Sequence, residues 1–456
     1  MLWAIGYWSY NMTFENLGLA PELLRALADS NYTIPTPIQA EAIPLALAGK
    51  DLLGGAQTGT GKTAAFALPL LQRLSQTEAA PGPRKPRALI LTPTRELAVQ
   101  VNDSIRTYGK HLRLSTAAIY GGAAMGPQFD LLRRGVDILV ATPGRLMDHM
   151  ERGSIKLDQI EILVLDEADR MLDMGFLPAI KRILAKVPVL RQTLLFSATF
   201  ESELKKLALD FMRNPQQVQI STGTVAENIT HRAHPVDGSR KRDLLIEILA
   251  KRHTDQVLVF GRTKHGCNRL AEQLEAAGLK SVAIHGNKSQ AQRQKALNQF
   301  KAGKARVLVA TDVAARGLDI PNLPLVINFD LPMVAEDYVH RIGRTGRAGL
   351  TGEALSLVAP DEGGLLRQIQ RMLKMDIAME TIAGFEPSRP IRMDAAPFAN
   401  QRGSNQRAGQ ERDQRPPSRG HRPHGQPAPR HAHVGPKQHR SGGQGAWAGP
   451  KHSSRA

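Results

Sequence analysis

Short apolar runs recur along this chain, and longer amphipathic stretches separate them. The runs in the first half are Arg87–Leu91, Asp137–Val140, Glu161–Leu165 and Thr193–Phe196, and those in the second half are Gln256–Phe260, Ser281–Ile284, Arg306–Val309 and Leu325–Asn328. Continuous Val, Ile and Leu runs joined by helical segments are typical of parallel strands that are buried on both faces. The pattern therefore predicts an α/β protein with two parallel-sheet domains in tandem.

A polar stretch without a strong helical pattern separates the two sets of runs, and we interpret it as a linker. We expect a first domain over residues 14–217, a linker over 218–235, a second domain over 236–386 and a tail over 387–456. Residues 1–13 hold four of the nine Trp and Tyr residues but no Lys or Arg, so they fit a secretory signal poorly. We expect a non-native or disordered extension there, with Met12 as the alternative start and docking to a membrane surface or a partner as the alternative role.

Positive charge is concentrated in the tail. The 456-residue chain has a formal net charge of +18, and residues 388–456 supply +10 of it through thirteen Lys and Arg against three acidic residues. The tail is also rich in Gly, Pro, Gln and His, so it cannot bury enough apolar surface to offset its ordering entropy. We expect a disordered tail that adds affinity for phosphate backbones, with a purely solubilising tail as the alternative.

The cysteine content and the hydropathy of the chain indicate which cellular compartment to expect. Cys267 is the single cysteine, which excludes an internal disulfide framework and fits a reducing environment. No apolar run approaches the length of a membrane span. We therefore expect a cytoplasmic protein that does not bind membranes.

A glycine-rich loop follows the apolar stretch Leu52–Gly55 and carries the first candidate chemistry. Small residues let backbone N–H groups close around phosphates, while Lys62 reaches the β and γ oxygens and Thr63 offers a hydroxyl to Mg²⁺. The generic pattern begins with Gly, and this chain has Ala56 there. The loop consists of Ala56, Gln57, Thr58, Gly59, Thr60, Gly61, Lys62 and Thr63.

Two carboxylates, Asp166 and Glu167, directly follow the apolar run that ends at Leu165. Ligands of open α/β sheets bind outside the carboxyl ends of the strands. Asp166 can hold the metal ion there, and Glu167 can orient a water molecule. The loop taken alone has an ordinary Gly-rich turn as its alternative, but loop and carboxylates together predict hydrolysis of a nucleoside triphosphate.

Two arginines in the second half complete this chemistry. Arg341 and Arg344 lie three residues apart, so at the start of a helix they would share one face. Guanidinium groups in that position can act as arginine fingers that stabilise transition-state charge. A basic surface helix is the alternative.

The loop pattern Ala-x-Thr-Gly-x-Gly-Lys-Thr together with Asp-Glu-Ala-Asp resembles the DEAD-box RNA helicase family. The resemblance extends from Phe14 to about Ala383. It implies two RecA-like domains, ATP and Mg²⁺ as the cofactors, and RNA-stimulated ATP hydrolysis coupled to local, non-processive duplex unwinding or RNP remodelling. The stretches Thr263–Gly266 and Ile284–Gln290 are similar to the bacterial RhlE-like branch.

The resemblance also implies the residues that recognise the nucleotide. The stretch that includes Phe14, Tyr32 and Gln39 resembles the Q motif of the family. The Gln39 amide has a donor and an acceptor for the edge of adenine, and the Tyr32 ring can stack on the base. Asn31 replaces the usual Gly and tolerates positive φ almost as well. Asp319 would accept a hydrogen bond from the ribose.

Further roles follow from the same resemblance. Four residues would couple the two domains to the nucleotide, and these are Asp169, Ser197, Thr199 and His340. The implied RNA contacts are strand-end amides, hydroxyls and arginines, which bind phosphates and 2′-hydroxyls without reading bases. They are Pro93, Thr94, Arg95, Gly121, Gly122, Thr142, Gly144, Arg145, Arg262, Gln290, Arg293 and Thr311.

Two other functions stay open at this point. One is a DNA translocase on the same two-domain core, although Asp169 and the Ser197–Thr199 stretch favour RNA. The other is an RNA-binding clamp or assembly scaffold in which hydrolysis only times release, because the same residues would serve both roles. Ribosome-assembly and RNA-decay proteins are the candidate protein partners.

Removal of residues 388–456 is expected to weaken RNA binding and to flatten its salt dependence. Each phosphate contact with a single strand contributes about 0.7 to the slope of log affinity against log salt, so the slope should shrink. The maximal ATPase rate at saturating RNA should stay nearly intact. Binding titrations over a salt series measure the slope, and an unchanged slope would favour the solubilising tail.

Overall fold

Two parallel sheets, each with seven strands, organise the part of the chain that the structure describes. The structure is a computed structural model, and it describes residues 12–56, 59–78, 84–200, 202–220, 228–252, 256–315, 318, 320, 323–346 and 351–393. The predicted pair of tandem parallel-sheet domains is confirmed.

The first sheet has the strand order β3-β4-β2-β5-β6-β1-β7, and the second has the order β10-β11-β9-β12-β13-β8-β14. The strands of the first sheet are β1 (Leu52–Gly55), β2 (Ala88–Leu91), β3 (Thr116–Ile119), β4 (Ile138–Ala141), β5 (Ile162–Leu165), β6 (Gln192–Ser197) and β7 (Gln216–Gln219). Those of the second are β8 (Ile229–Pro235), β9 (Val257–Phe260), β10 (Ser281–Ile284), β11 (Val307–Ala310), β12 (Leu325–Asn328), β13 (Gly352–Val358) and β14 (Ala378–Met379).

Helices connect the strands and cover both faces of each sheet. The first domain has α1 (Pro21–Ala28), α2 (Pro37–Leu47), α3 (Lys62–Gln76), α4 (Arg95–Tyr108), α5 (Met125–Arg134), α6 (Pro143–Glu151), α7 (Ala168–Asp173), α8 (Leu177–Leu184) and α9 (Ser202–Phe211). The second has α10 (Lys241–Lys251), α11 (Lys264–Ala276), α12 (Gln290–Lys301), α13 (Asp312–Ala315), α14 (Ala335–Ile342) and α15 (Gly363–Leu373). Among the described helices, none is both long and apolar enough to cross a membrane.

The apolar core follows from the alternation of side chains along each strand. On β2, Ile90 packs into a cluster with helices α1 to α4, while Leu89 and Leu91 pack into a second cluster with helices α6 to α9. Successive side chains of a strand point to opposite faces, so a strand buried on both faces must be apolar throughout. This is why the apolar runs of the sequence correspond to central strands.

The predicted linker 218–235 is wrong at both ends. Val218 and Gln219 belong to β7, which pairs with β1 of the first sheet. At the other end, β8 pairs along its whole length with β13 of the second sheet. The sequence of β8 contains Thr, two His and Arg, so the apolar pattern did not mark it as a strand.

The predicted outer boundaries also need correction. Met12 packs against the core of the first domain, although residues 1–13 were expected to lie outside it. Ile391 and Met393 pack against the core of the second domain, and Ser388 donates hydrogen bonds to the Asp237 carboxylate. A tail deletion should therefore begin after Met393. The expected extension over residues 1–11 and the rest of the tail, 394–456, lie outside the described residues.

Candidate active site

Parallel pairing brings the carboxyl ends of β1, β5 and β6 together. Gly55 pairs with Ser197, and Leu165 pairs with Leu195, so the loops that follow these strands are neighbours. The amide of Ala56 donates to the carbonyl oxygen of Ser197 at 3.1 Å. The phosphate loop, the Asp166–Asp169 stretch and the Ser197–Thr199 stretch thereby form one site.

The phosphate loop depends on glycine at two positions. Gly59 and Gly61 have φ angles of 87° and 91°, a region that residues with a Cβ rarely adopt. A Cβ at Gly61 would also lie 2.3 Å from Nε2 of Gln39. Ala56 is not among the described residues with positive φ, so the chain tolerates alanine at this position. Gln57 and Thr58 lie outside the described residues.

Lys62 begins α3 and is only 6% exposed. Its Nζ donates to the carbonyl oxygen of Ala56 at 2.8 Å. The same ammonium group interacts electrostatically with Asp166 and Asp169. The cation is thus held inside the loop, between the backbone that would surround phosphates and the carboxylates.

The pKa values of the two aspartates are shifted in opposite directions. Burial raises the pKa of Asp166 to about 7, and the attraction of Lys62 only partly opposes that shift. Burial would also raise the pKa of Asp169, but Lys62 and the backbone N–H groups of Arg170 and Thr199 hold it below its usual value. A buried carboxylate whose charge is incompletely compensated suits a hard cation, and the hydroxyl of Thr63 in the loop is an oxygen donor of the kind that such a cation also binds. Asp166 and Thr63 therefore fit Mg²⁺.

Glu167 has an unusual backbone conformation. Its φ and ψ are both 53°, in the left-handed region, where it precedes α7. Non-glycine residues in this region cluster at functional sites because the surrounding structure must hold them there. The half-buried Glu167 lines a small cavity together with Lys62, Asp169 and Arg344. A carboxylate, an ammonium and a guanidinium from both domains thus meet in one place.

The Ser197–Thr199 stretch is joined to Asp169 by hydrogen bonds. Oδ2 of Asp169 accepts from the amides of Ala198 and Thr199 at 3.0 and 2.9 Å and from Oγ1 of Thr199 at 3.2 Å. Ser197 accepts from the backbone amide of Asp169 at 3.3 Å, and it donates to the Thr199 carbonyl oxygen at 2.6 Å. Ser197 therefore contacts the backbone of Asp169 and also forms a side-chain hydrogen bond with its carboxylate.

The two arginines of α14 and the turn after it occupy different places. Arg344 lines the cavity beside Lys62 and His340, and its Nη1 donates to the carbonyl oxygen of Leu318 at 2.8 Å. Arg341 is 2% exposed, and its Nε and Nη2 donate to the Asp312 carboxylate at 2.6 and 2.8 Å. Arg344 thus lies beside the phosphate loop, whereas Asp312 holds Arg341 inside the second domain. The arginine-finger roles of both residues stay predictions.

The residues of the Q motif lie apart from one another. Gln39 is 1% exposed, accepts from the Thr36 amide at 2.9 Å and donates to the Gly61 carbonyl oxygen at 3.0 Å. Its amide therefore supports the phosphate loop. Phe14 is buried in the core, and Tyr32 makes an edge contact with Tyr108 at a centroid distance of 6.0 Å. The expected stacking of Tyr32 on a base stays a prediction.

Two smaller expectations about the same region have different outcomes. Asn31 has a φ of 58°, so it adopts the conformation for which the family uses Gly. Asp319 lies outside the described residues, and the structure gives no position for this expected ribose contact.

In the first domain, the residues expected to contact RNA follow β2, β3 and β4, which are adjacent in the sheet. The Arg95 guanidinium lies against Gly122, where a Cβ would be 2.0 Å from its Nη1. Arg145 donates to the carbonyl oxygen of Ala123 at 3.1 Å. The full group is Pro93, Thr94 and Arg95 after β2, Gly121 and Gly122 after β3, and Thr142, Gly144 and Arg145 after β4.

In the second domain, Arg262, Gln290 and Thr311 follow β9, β10 and β11, which are again adjacent. Arg293 is placed differently from the expectation. It forms an ion pair with Glu96 of the first domain at 2.9 Å, and both side chains are 6% exposed. Arg293 is therefore an interdomain contact in this structure and does not present its guanidinium on an open surface.

Two carboxylates form ion pairs between the two domains. Glu96, in the first turn of α4, pairs with Arg293, and Asp337, on α14, pairs with Arg170 of α7 at 3.6 Å. Their charge alone carried no signal, because most acidic side chains on helices only face solvent. An ion pair between residues that are far apart in the sequence can be identified only from the three-dimensional arrangement of the two domains.

Comparison with known proteins identifies the family. The family model described as DEAD/DEAH box helicase matches residues 36–207, and the model described as helicase conserved C-terminal domain matches residues 240–349. The chain belongs to the DEAD-box helicase family. The expected family is thus confirmed, whereas assignment of this DEAD-box protein to the RhlE-like branch stays a prediction.

Relatives and solved structures agree with this identification. The DEAD-box protein is 47% identical over 370 residues to the ATP-dependent RNA helicase DeaD of Escherichia coli, covering 81% of this chain but 58% of the relative. It is 46% identical over 364 residues to the DEAD-box ATP-dependent RNA helicase CshA of Bacillus cereus, covering 79% of this chain and 68% of the relative. Its structure resembles S. cerevisiae Dbp5 bound to RNA and ADP BeF3, with a TM-score of 0.71, 32% identity and coverage of 81% and 96% of the two chains.

Replacement of Gly61 by alanine is expected to weaken ATP binding by at least about tenfold. The left-handed backbone costs an alanine roughly 1–2 kcal/mol, and the new Cβ displaces the Gln39 amide that supports the loop. Gly126→Ala is the matched control, because a Cβ there meets nothing within 4 Å. Titration with a fluorescent ATP analogue measures both variants, and equal affinities would contradict the role of Gly61.

Proposed function

We propose that this DEAD-box protein is an ATP-dependent RNA helicase that couples RNA-stimulated ATP hydrolysis to local duplex opening or to remodelling of RNA–protein complexes. One observation carries the proposal. In each sheet, the phosphate-site residues follow one group of strands and the expected RNA contacts follow a neighbouring group. Both sets of residues lie at the carboxyl ends of the strands. The names of DeaD and CshA point to the same activity, but the chain spans only 58% of the DeaD length.

ATP binding would begin with an exchange of hydrogen bonds. Lys62 donates to the Ala56 carbonyl oxygen, and incoming phosphate oxygens would replace that oxygen as its acceptor. The backbone amides between Gly59 and Lys62 lie at the start of α3, where a helix favours anions. The loop therefore offers a charge and oriented N–H groups to the same phosphate chain.

Thr63 and Asp166 would hold Mg²⁺ beside the phosphates. The bound ion would neutralise charge on the β and γ oxygens, a role it has in phosphoryl transfer generally. The buried Asp166 carboxylate, whose pKa burial raises to about 7, supports this part of the proposal because a cation would favour its ionised form.

Glu167 is the proposed acceptor of the proton of the attacking water. Its carboxylate lines the same cavity as Lys62 and Arg344. A carboxylate can orient a water molecule and take its proton, whereas the charged arginine can stabilise the transferring phosphoryl group. The proposed division of labour uses Lys62 for binding, Glu167 for the water and Arg344 for the transition state.

Coupling to RNA would run through the hydrogen bonds around Asp169. Its carboxylate joins Thr199 to α7, and the neighbouring Arg170 pairs with Asp337 of the second domain. His340 lines the same cavity, which supports a coupling role for this residue as well. Nucleotide-dependent closure would then bring both RNA-contacting groups onto one strand.

The expected RNA contacts would bind the backbone without reading bases. They consist of arginines, hydroxyls and backbone groups at strand ends, which recognise phosphates and sugars. We propose further that the basic tail adds affinity, that ribosome-assembly or RNA-decay proteins are the partners, and that the protein works in the cytoplasm, where its buried Cys267 would stay reduced.

Replacement of Glu167 by glutamine is expected to leave ATP and RNA bound while hydrolysis falls by about 10²–10⁴-fold. The amide is nearly isosteric but cannot accept the proton of the attacking water. Single-turnover hydrolysis, measured beside ATP and RNA binding, separates the two effects. Glu203→Gln on the exposed face of α9 is the control. A wild-type hydrolysis rate in the Glu167 variant would exclude this residue as the base.

A series of RNA duplexes of increasing length tests the mechanism of unwinding. Backbone contacts from both domains should bend one strand and disrupt a few pairs, so short duplexes should open efficiently and long ones poorly, with little dependence on sequence. Non-hydrolysable ATP analogues should support RNA clamping, with hydrolysis needed mainly for release. A yield that stays flat from short to long duplexes would indicate translocation, and ATP turnover without any strand separation would indicate a clamp.

A further inference from the structure

The second sheet ends in a strand that has a neighbour on one side only. Among the described residues, β10 is the edge strand and pairs with β11 alone. The amides of Val307 and Thr311 donate to the carbonyl oxygens of Lys280 and Ile284. Backbone groups alternate in direction along a strand, so those of Ser281 and Ala283 point away from β11. An unpaired strand edge of this kind can template another strand.

The open edge lies at the bottom of a cavity of about 590 Å³. Helix α11 forms one wall and helix α12 the other, and both pack against β10. Three alanines, Ala271, Ala276 and Ala296, line the walls and leave room between the helices. We name this cavity the β10 slot. None of its lining residues belongs to the ATP site or to the expected RNA contacts.

The two walls of the β10 slot carry opposite charge. Glu272 and Glu275 lie on the α11 wall, whereas Lys288 and Lys295 lie on the α12 side. Glu275 also accepts a hydrogen bond from the outward-facing amide of Ser281 at 2.7 Å. The outward-facing amide of Ser281 is therefore already bonded to a side-chain oxygen. This oxygen lies where the carbonyl oxygen of an added strand would lie.

We propose that the β10 slot binds an extended peptide segment of another protein, which adds a strand to the second sheet. Side chains of an added strand alternate between the two walls. The matching segment has basic residues toward Glu272 and Glu275, acidic residues toward Lys288 and Lys295, and an apolar residue above the alanines. Main-chain hydrogen bonds to Ala283 would provide affinity, and the charged walls would provide specificity and direction.

The tail of the chain itself matches this pattern poorly. Residues 394–456 carry eleven Lys and Arg against three acidic residues, so they would leave the lysine wall without partners. A helix would leave the outward-facing backbone groups of Ala283 unpaired, because its own backbone groups bond internally. An extended segment of mixed charge satisfies both the backbone edge and the walls.

Selection from a phage-displayed library of random dodecapeptides tests the proposal. The full chain is the target, and each round is counter-selected on the Ala276→Trp variant, whose indole would fill the slot from the exposed end of α11. Enriched peptides are expected to alternate basic and acidic residues about an apolar one. Their affinity should fall at least about tenfold for Glu272→Lys and stay unchanged for Glu203→Lys on α9. Hydrogen exchange at the Ala283 amide should slow at least about tenfold when a peptide is bound.

Three results would overturn the proposal. Equal enrichment on the Ala276→Trp variant would place binding elsewhere, and an unchanged exchange rate at Ala283 would exclude strand addition. Competition by single-stranded RNA would assign the peptides to the RNA surface. RNA-stimulated ATPase activity should be unaffected by Glu272→Lys, which shows that the variant folds and that the slot is separate from the proposed catalytic function.

Discussion

Parallel strand pairing is the constraint on which the rest of this molecule depends. The side chains that form the phosphate site lie more than a hundred positions apart in sequence, as Lys62 and Asp166 do. They meet because the parallel pairing of β1 and β5 with β6 aligns the carboxyl ends of all three strands. Gly54 makes this pairing sterically feasible, since a Cβ there would lie 2.5 Å from the ring of Phe196, which packs against Phe66. The same three strands therefore build the aromatic packing of the core and bring the residues of the site together.

Burial gives the charges of the site their properties. Lys62 and Asp166 are almost inaccessible to water, and Asp169 lies close to both. The charge of Lys62 and hydrogen bonds from backbone amides lower the pKa of Asp169, whereas burial raises the pKa of Asp166 to about 7. The unequal compensation leaves the charge of Asp166 less stabilised than that of Asp169. Charged groups held in a dry site interact with a ligand more strongly than they would in water.

The sequence specified the central strands and the location of the chemistry, and it did so for physical reasons. Strands buried on both faces must be apolar, so all eight apolar runs correspond to strands. Motifs that follow such strands must lie at their carboxyl ends. Strand β8 was missed because its residues are polar, although it lies between β13 and β14. Its pairing depends on backbone groups, which leave no mark in hydrophobic periodicity.

Side-chain directions were the part that the sequence could not provide. A spacing of three residues suggested that Arg341 and Arg344 act together, but Asp312 and Asn328 enclose the first of them. The Tyr32 ring makes an edge contact with Tyr108, and its expected stacking on a base stays a prediction. Such outcomes depend on partners from distant segments. A motif fixes the type of group that is available, and only the tertiary structure determines the direction in which that group points.

The contacts between the two domains indicate where the energy for closing them must come from. The Glu96–Arg293 pair is buried on both sides, yet Oε1 of Glu96 and Nε of Arg293 have no hydrogen-bond partner. Desolvation of two ions is repaid only when all their polar atoms are satisfied, so a pair of this kind adds little net stability. The Arg170–Asp337 pair is longer, at 3.6 Å, and Asp337 is partly exposed. Neither pair can hold the domains together firmly by itself. A ligand that touches both domains can therefore add to contacts that are individually weak and shift the balance between open and closed arrangements.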